Sequence, residues 1–115
     1  MILRGRTPQE LCEYILSRSS CSVQVGAVVV DGAGVFGWGW NHMGANGMGE
    51  HAEVSCLKRS NYHRQSGSTL FVASFRVRSQ KFITSKPCLK CQGWIEARGI
   101  NKVWWKGGDG LWHPL

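Results

Sequence analysis

One segment limits the possible folds more than any other, because strand, helix and strand patterns follow one another along it. Residues 69–74 form an apolar run typical of a strand, and residues 102–105 form a second one. Between them, Pro87 opens a helix pattern that ends near Gly99. Two strands joined by a helix usually pair in parallel through a right-handed crossover. The segment therefore predicts an α/β fold.

The N-terminal half adds a helix and a hairpin to this unit. Thr7, Pro8 and Glu10 have the spacing of a capping box at a helix start. Residues 23–30 are apolar and mostly β-branched, which predicts a buried strand, and residues 35–40 are expected to pair back on it. The expected fold class is a three-layer α/β/α sandwich with a central mixed sheet of four to five strands.

Three smaller regions carry their own expectations. The aromatic residues of the second hairpin strand alternate with glycines, so a period of two places them on one face. They are Phe36, Trp38 and Trp40. Residues 75–85 either extend the preceding strand or form a basic flap. Residues 61–68 are predicted to be a polar connection, and residues 106–115 an irregular, glycine-rich tail.

Composition narrows the class of protein. A length of 115 residues favours one domain over residues 1–115, and 43% hydrophobic with 18% charged residues is a globular balance. No apolar run reaches the roughly 18 residues that cross a bilayer, and the N-terminus lacks the apolar core of a secretory signal. We therefore expect a cytoplasmic protein without a membrane partner. Five cysteines, an odd number, argue against a disulfide framework.

Two short motifs bring together residue types that bind zinc. Cys88 and Cys91 are three residues apart, so they share one helix face, and the first turn of a helix favours thiolates. His51, at the start of another predicted helix, can supply a third ligand. Three protein ligands leave one tetrahedral position open for water, whose pKa zinc lowers to about 7. Glu53 lies two residues beyond His51 and can act first as base and then as acid.

The motifs His51-Ala52-Glu53 and Pro87-Cys88-Leu89-Lys90-Cys91 resemble those of the cytidine/deoxycytidylate deaminase superfamily. The resemblance extends over about residues 8–105. It implies a cytidine deaminase-like fold with zinc as cofactor. By this resemblance His51, Cys88 and Cys91 are the zinc ligands, and Glu53 is the proton shuttle of a hydrolase.

The same resemblance implies contacts to a substrate. Asn41 is expected to contact the sugar, and backbone groups near Ala52 and Ser85 to hold the edge of the base. The implied reaction is deamination of a cytosine nucleotide, foremost dCMP to dUMP, by a homo-oligomer. The chain is short after Trp105, so the family's fifth strand is either missing or rebuilt from the tail, which blurs substrate choice.

Charge is distributed unevenly along the chain. The net charge is +7, and 11 of the 14 basic residues lie between Lys58 and Lys106, where Glu96 is the only acid. This half should attract an anion, either a nucleotide phosphate or a nucleic acid, unless it is simply a solvated face. Arg76 and Arg78, with Lys81 and Lys86, are candidate phosphate contacts. A charged strand edge explains them equally well.

Other interpretations remain open. The cysteine pair fits a redox site, although that leaves His51-Ala52-Glu53 unexplained. A fourth ligand from His42, Cys56 or His63 would close the zinc site and turn the chain into a non-catalytic zinc-stabilised nucleic-acid-binding module. A third possibility is a deaminase acting on single-stranded DNA or RNA, for which the basic charge and six tryptophans are suited.

Overall fold

The computed structural model describes residues 6–43 and 49–115. Its helices, in chain order, are α1 (Pro8–Ile15), α2 (Ala52–Arg59), α3 (Tyr62–Gln65) and α4 (Leu89–Ala97), with a 3-10 turn at Leu16–Arg18. Its strands are β1 (Val23–Asp31), β2 (Gly34–Trp40), β3 (His42–Met43), β4 (Gly49–Glu50), β5 (Thr69–Arg76), β6 (Lys81–Ile83), β7 (Lys102–Lys106) and β8 (Trp112–Pro114).

The main sheet is mixed, as the sequence predicts. Its order is β2-β1-β5-β7-β8, and β6 pairs with the end of β5. Strands β5 and β7, which precede and follow α4 in the sequence, pair in parallel, whereas the other neighbouring strands pair antiparallel. The sheet has six strands rather than the predicted four to five, because residues 75–85 extend β5 and then turn back as β6. Strands β3 and β4 form a separate two-stranded ladder.

Helices cover both faces of the sheet, which confirms the three-layer architecture. Strand residues alternate between two apolar clusters, because successive side chains point to opposite faces. The cluster under α1 contains Leu11, Cys12, Ile15, Leu16, Val28, Phe71 and Ala73. The cluster under α2 and α4 contains Ala27, Val29, Ala52, Cys56, Leu57, Leu70, Val72, Ile95 and Val103. The central strands are thus buried on both faces.

Helix α1 begins where the sequence predicts. The Thr7 hydroxyl accepts a hydrogen bond from the Glu10 backbone N–H at 3.1 Å, and the Glu10 carboxylate accepts one from the Thr7 N–H at 3.2 Å. Both bonds satisfy N–H groups that the first turn leaves without an intrahelical partner. The capping box therefore forms from neighbouring residues alone.

The predicted shared face of Phe36, Trp38 and Trp40 is wrong for Phe36. Val29 pairs with Gly37 and Val30 pairs with Val35, so Phe36 is an extra residue in β2, a β-bulge. Phe36 consequently packs on the α2 side, whereas the two tryptophans pack on the α1 side.

Two other predictions of irregular chain are also wrong. The connection at 61–68 contains α3, which Asn61 caps by accepting a hydrogen bond from the His63 N–H at 2.9 Å. The tail forms β8, so the fifth strand of the path is rebuilt from it. Trp112 packs edge to face on Phe71, with ring centroids 5.9 Å apart. Phe71 is distant in the sequence, and its contact with Trp112 orders a segment that is predicted to be irregular from its glycines.

The predicted loop at 41–49 is described only in part, since residues 44–48 lie outside the described ranges. The flanking residues form the β3–β4 ladder. In the part of the chain that the structure describes, no helix is both long and apolar enough to span a bilayer.

Candidate active site

The N-termini of α2 and α4 lie close together on one face of the sheet. His51 is the N-cap residue of α2, and Cys88 is the N-cap residue of α4. Their backbone carbonyls accept the first helical hydrogen bonds, from Ser55 and Gln92 at 2.9 Å each. Neither side chain caps its own helix, so both are free to face the other helix. Pro87 precedes the N-cap, so α4 begins at Leu89, two residues later than the sequence predicts.

Three side chains converge between these helix ends. His51 Nδ1 lies 3.1 Å from Cys91 Sγ and 3.5 Å from Cys88 Sγ, and all three donor atoms lie within 4.8 Å of one another. Zinc bonds of about 2.3 Å to sulfur and 2.0–2.1 Å to nitrogen, at tetrahedral angles, need donor separations of about 3.5–3.8 Å. The three donor atoms are of the types that zinc prefers and lie close enough together to share one ion, which requires a small increase in the distance between His51 Nδ1 and Cys91 Sγ.

No fourth protein ligand joins this group among residues 6–43 and 49–115, which include every histidine, cysteine, aspartate and glutamate of the chain. Cys56 is fully buried in the core under α2. The His42 ring faces the Trp40 carbonyl at 3.2 Å, and His63 is exposed beside Tyr62. The group therefore has the three-ligand composition of catalytic rather than structural zinc sites.

The protein environment of Cys91 disfavours a thiolate unless a cation is present. Burial is the main cause that raises its pKa, and the negative charge of Glu53 and the neighbouring Cys88 add to it. A bound divalent cation reverses this balance, because a coordinating thiol loses its proton outright. The chemistry of the donor set thus also fits a metal ion.

Glu53 lies in the first turn of α2, beside this group. Its side chain is buried, with 5% relative exposure, and burial raises the pKa of its carboxyl. Interaction with the Cys91 side chain offsets a small part of this rise in pKa. A buried carboxyl with a raised pKa exchanges protons closer to neutral pH than an exposed one.

A cavity of about 220 Å³ opens onto these residues. His51, Glu53 and Cys88 line it, as do three residues predicted from the sequence as substrate contacts. These are Asn41, Ala52 and Ser85. The structure thus brings the predicted metal, proton-transfer and base-edge residues to one cavity.

The side chain of Asn41 is already held by β1. Its carbonyl oxygen accepts a hydrogen bond from the Val25 N–H, and its amide nitrogen donates one to the Val23 carbonyl, both at 2.8 Å. An amide has two donor hydrogens and two acceptor lone pairs, so one of each remains for a ligand. These bonds fix the direction in which the remaining groups point.

The two backbone contacts differ in what they offer. Ala52 is the first residue of α2, where backbone N–H groups have no intrahelical partner. The Ser85 N–H is not available to a ligand, because it donates a hydrogen bond to the Lys106 carbonyl at 3.0 Å. Ser85 therefore has its carbonyl oxygen to offer, and Ala52 its N–H.

Arg76 and Arg78 do not line the cavity. Both are exposed in the hairpin formed by β5 and β6, and Arg76 pairs with Lys81 in the strand register. Sequence reasoning missed Val25, Ser74 and Thr84 as lining residues. Ser74 had a usable signal, since it lies near the end of a strand that pairs in parallel, where α/β proteins bind ligands.

Comparisons with known proteins agree with this geometry. Residues 8–106 match the family described as the cytidine and deoxycytidylate deaminase zinc-binding region. Curated protein sequences give no match.

Solved structures include similar chains. An apo dCMP deaminase from the cyanophage S-TIM5 is 26% identical, with a TM-score of 0.68, covering 87% of this chain and 79% of its own. The same enzyme in complex with dCMP and dUMP is 25% identical, with a TM-score of 0.66 and coverages of 86% and 77%. A cytidine deaminase from Burkholderia pseudomallei, 19% identical, has the same fold with a TM-score of 0.75 and coverages of 94% and 88%. Since the family match spans most of the sequence and its zinc-binding residue types meet here, the chain belongs to the cytidine and deoxycytidylate deaminase family and is a zinc-dependent hydrolase.

Proposed function

We propose that this protein deaminates a cytosine nucleotide and that its substrate is dCMP, which it converts to dUMP. The observation that carries the proposal is that His51, Cys88 and Cys91 come together beside a cavity that Glu53 also lines. Further support comes from the cyanophage enzyme, whose structure contains dCMP and dUMP. The basic excess of the chain also suits an anionic substrate.

In this proposal His51, Cys88 and Cys91 hold the zinc ion. When bound, zinc supplies the Lewis acidity that makes water a nucleophile near neutral pH. The two N-cap positions fix the directions from which the His51 and Cys88 side chains enter the site. Cys91, buried one turn into α4, completes the set.

Glu53 moves the protons. Its carboxylate takes a proton from the attacking water and then delivers it to the departing amino group. A carbon–oxygen bond forms at the ring carbon, the carbon–nitrogen bond breaks, and water plus cytosine gives uracil plus ammonia. Burial favours the protonated carboxyl, so the proton is readily held between the two steps.

The remaining predicted contacts orient the substrate. The Ala52 N–H and the Ser85 carbonyl hold the edge of the base, and the free hydrogen-bonding groups of Asn41 contact the sugar. All three residues line the cavity. Their backbones are fixed by α2 and by hydrogen bonds from Asn41 to Val25 and from Ser85 to Lys106, which reduces the entropy lost when a ligand is bound.

A substrate screen tests the proposal. Zinc-loaded protein is incubated with cytidine, deoxycytidine, CMP and dCMP, and ammonia release is followed beside loss of cytosine absorbance. We expect the highest kcat/KM with dCMP and no turnover after chelation of zinc. Failure of the zinc-loaded protein to convert any of the four would reject cytosine nucleotides as substrates, and faster conversion of deoxycytidine would assign a nucleoside.

A polymer substrate is the second candidate. Arg76, Arg78 and Lys81 form an exposed basic hairpin outside the cavity, where a nucleic acid backbone could lie. Sequencing of single-stranded DNA and RNA after exposure would reveal converted bases. Conversion with a steep salt dependence, in the absence of dCMP turnover, would favour this candidate.

We also propose a homo-oligomer. Several apolar side chains are available for subunit contacts, including Tyr62 at 64% exposure, Leu89 at 84% and Leu111 at 63%. Light scattering on the zinc-loaded protein measures the assembly, and the mass of a single chain would contradict it.

A further inference from the structure

The cavity contains one cation that the proposed chemistry does not use. Lys86 is the sole lysine or arginine among the described residues that line it. Three of the other basic residues form ion pairs: Lys58 with Glu50 at 3.2 Å, Arg64 with Asp31 at 2.7 Å and Lys106 with Glu13 at 2.8 Å.

With the residues that the structure describes, Lys86 makes neither a hydrogen bond nor an ion pair. Its backbone, in contrast, is fixed on both sides. The Ser85 N–H donates to the Lys106 carbonyl at 3.0 Å, and the Pro87 carbonyl accepts from the Gln92 side chain at 2.9 Å. Pro87 is buried and its ring fixes one backbone angle. Lys86 is therefore an unpaired charge at a fixed place, two residues from Cys88.

The net charge of the zinc-loaded site explains why an unpaired lysine there would help to bind a phosphate. Two thiolates, a neutral imidazole, one zinc ion and an ionised Glu53 sum to about one net negative charge. A phosphate monoester carries about −1.5 to −2 charges at pH 7 and would be repelled by such a site. Lysine is an effective point-charge partner for phosphate.

We infer that Lys86 binds the phosphate of a nucleoside monophosphate and so makes the site prefer the nucleotide over the nucleoside. This inference rests on the proposed function. It replaces Arg76 and Arg78, which lie outside the cavity, as the phosphate contact. The amino-bearing ring carbon and the phosphate occupy opposite ends of a nucleotide. The base therefore enters toward Glu53 while the phosphate stays near the exposed Lys86.

The first experiment compares Lys86→Met with Lys102→Met. Methionine keeps a linear side chain and removes the charge, and exposed Lys102, outside the cavity, controls for the change in net charge. We expect Lys86→Met to lower kcat/KM for dCMP by about tenfold, mostly through KM, as for loss of one charge-assisted hydrogen bond. With deoxycytidine it should change by less than about twofold. Lys102→Met should alter neither.

Equal losses with both substrates would overturn the inference, because Lys86 would then act on the metal motif rather than on phosphate. No loss with dCMP would overturn it as well. A loss produced by Arg76→Met instead would move the phosphate contact to the hairpin.

The second experiment measures binding without turnover. Zinc-loaded Glu53→Gln protein is titrated calorimetrically with dCMP and with deoxycytidine at low and high salt. We expect tighter binding of dCMP, a preference that weakens with salt and disappears when Lys86→Met is added. If Glu53→Gln protein with Lys86 intact bound dCMP and deoxycytidine with equal affinity, or did not bind dCMP, the inference would be overturned. This result would not depend on the outcome of the substrate screen. Zinc content is measured in every variant to verify that the site is intact.

Discussion

The two faces of the sheet both contain a buried cysteine, but their surroundings differ. Under α1, the Cys12 thiol donates to the carbonyls of Gly26 at 3.0 Å and Phe71 at 3.4 Å. Under α2 and α4, Cys91 meets an imidazole, a second thiol and the carboxyl of Glu53. Burial raises the pKa of both thiols. Burial alone therefore does not identify a functional cysteine, whereas convergent ligand groups do.

The largest expected difference between the faces concerns their carboxylates. Glu53→Gln should lower turnover by about 10²–10⁴-fold while zinc stays bound, because the amide cannot transfer the proton. Glu13→Gln is the control on the α1 face, where Glu13 pairs with Lys106. Steady-state kinetics and metal analysis measure both effects. Comparable turnover in the two variants would remove Glu53 from the chemistry.

The cysteines provide the next test of the same contrast. Cys91→Ser should weaken zinc binding by more than the roughly 10–100-fold that loss of an outer-shell partner costs. Cys12→Ser should leave zinc affinity unchanged, because its hydroxyl can still donate to the backbone carbonyls. Competition with a chelator of known affinity gives both values. Equal weakening would show that the α1 face supports the metal as much as the α2 face.

Two glycines allow helices on opposite faces to approach the sheet. An added Cβ at Gly26 would lie 2.5 Å from the Cys12 carbonyl oxygen, and one at Gly39 would lie 2.5 Å from the Cys56 nitrogen. Gly26→Ala and Gly39→Ala should each lower the free energy of unfolding by about 1–3 kcal/mol.

Only Gly39→Ala should also reduce zinc affinity, since it displaces the helix that begins beside His51. Urea unfolding of the metal-free protein and chelator competition separate the two effects. A similar loss of zinc affinity in both variants would mean that the helices move together.

The smallest predicted effect lies at the end of β1, away from the cavity. Arg64 makes two hydrogen bonds of 2.7 Å to Asp31, which lower the pKa of that carboxyl to about 2. A lowered folded-state pKa stabilises the protein above the unfolded pKa of about 3.9, and this contribution disappears as the pH falls toward 2.

Unfolding midpoints of wild type and Asp31→Asn should therefore differ at pH 6 and converge as the pH approaches 2. Turnover at neutral pH should not change. A difference that stays constant over this pH range would show that the charge of Asp31 does not stabilise the fold.

The sequence predicts best those features that depend on neighbouring residues. Thr7 and Glu10 are three residues apart, so their capping box depends only on local chain geometry. The metal-binding residue types are recognisable because they sit at helix starts with fixed spacing. The parallel strand–helix–strand unit positions the start of α4, whereas the approach of α2 to it depends on packing in the core that both helices share.

The features that the sequence did not predict depend on distant partners. The bulge at Phe36 arises from the pairing of β2 with β1 and reverses the face of a single residue. Strand β8 depends on the packing of Trp112 against Phe71, and just beyond the strand the Leu115 N–H donates a hydrogen bond to the Val103 carbonyl at 2.9 Å. Cavity-lining residues such as Val25 likewise become visible only when the sheet is assembled.

The amide of Asn41 has a consequence for mutagenesis. It continues the β1–β2 ladder with side-chain atoms at the point where the backbone turns toward the active site. An alanine at this position would remove both the hydrogen bonds to β1 and the proposed contact with the sugar. Lost activity in such a variant would mix two causes, so truncation of the sugar hydroxyl on the nucleotide, rather than of the amide on the enzyme, is the cleaner probe.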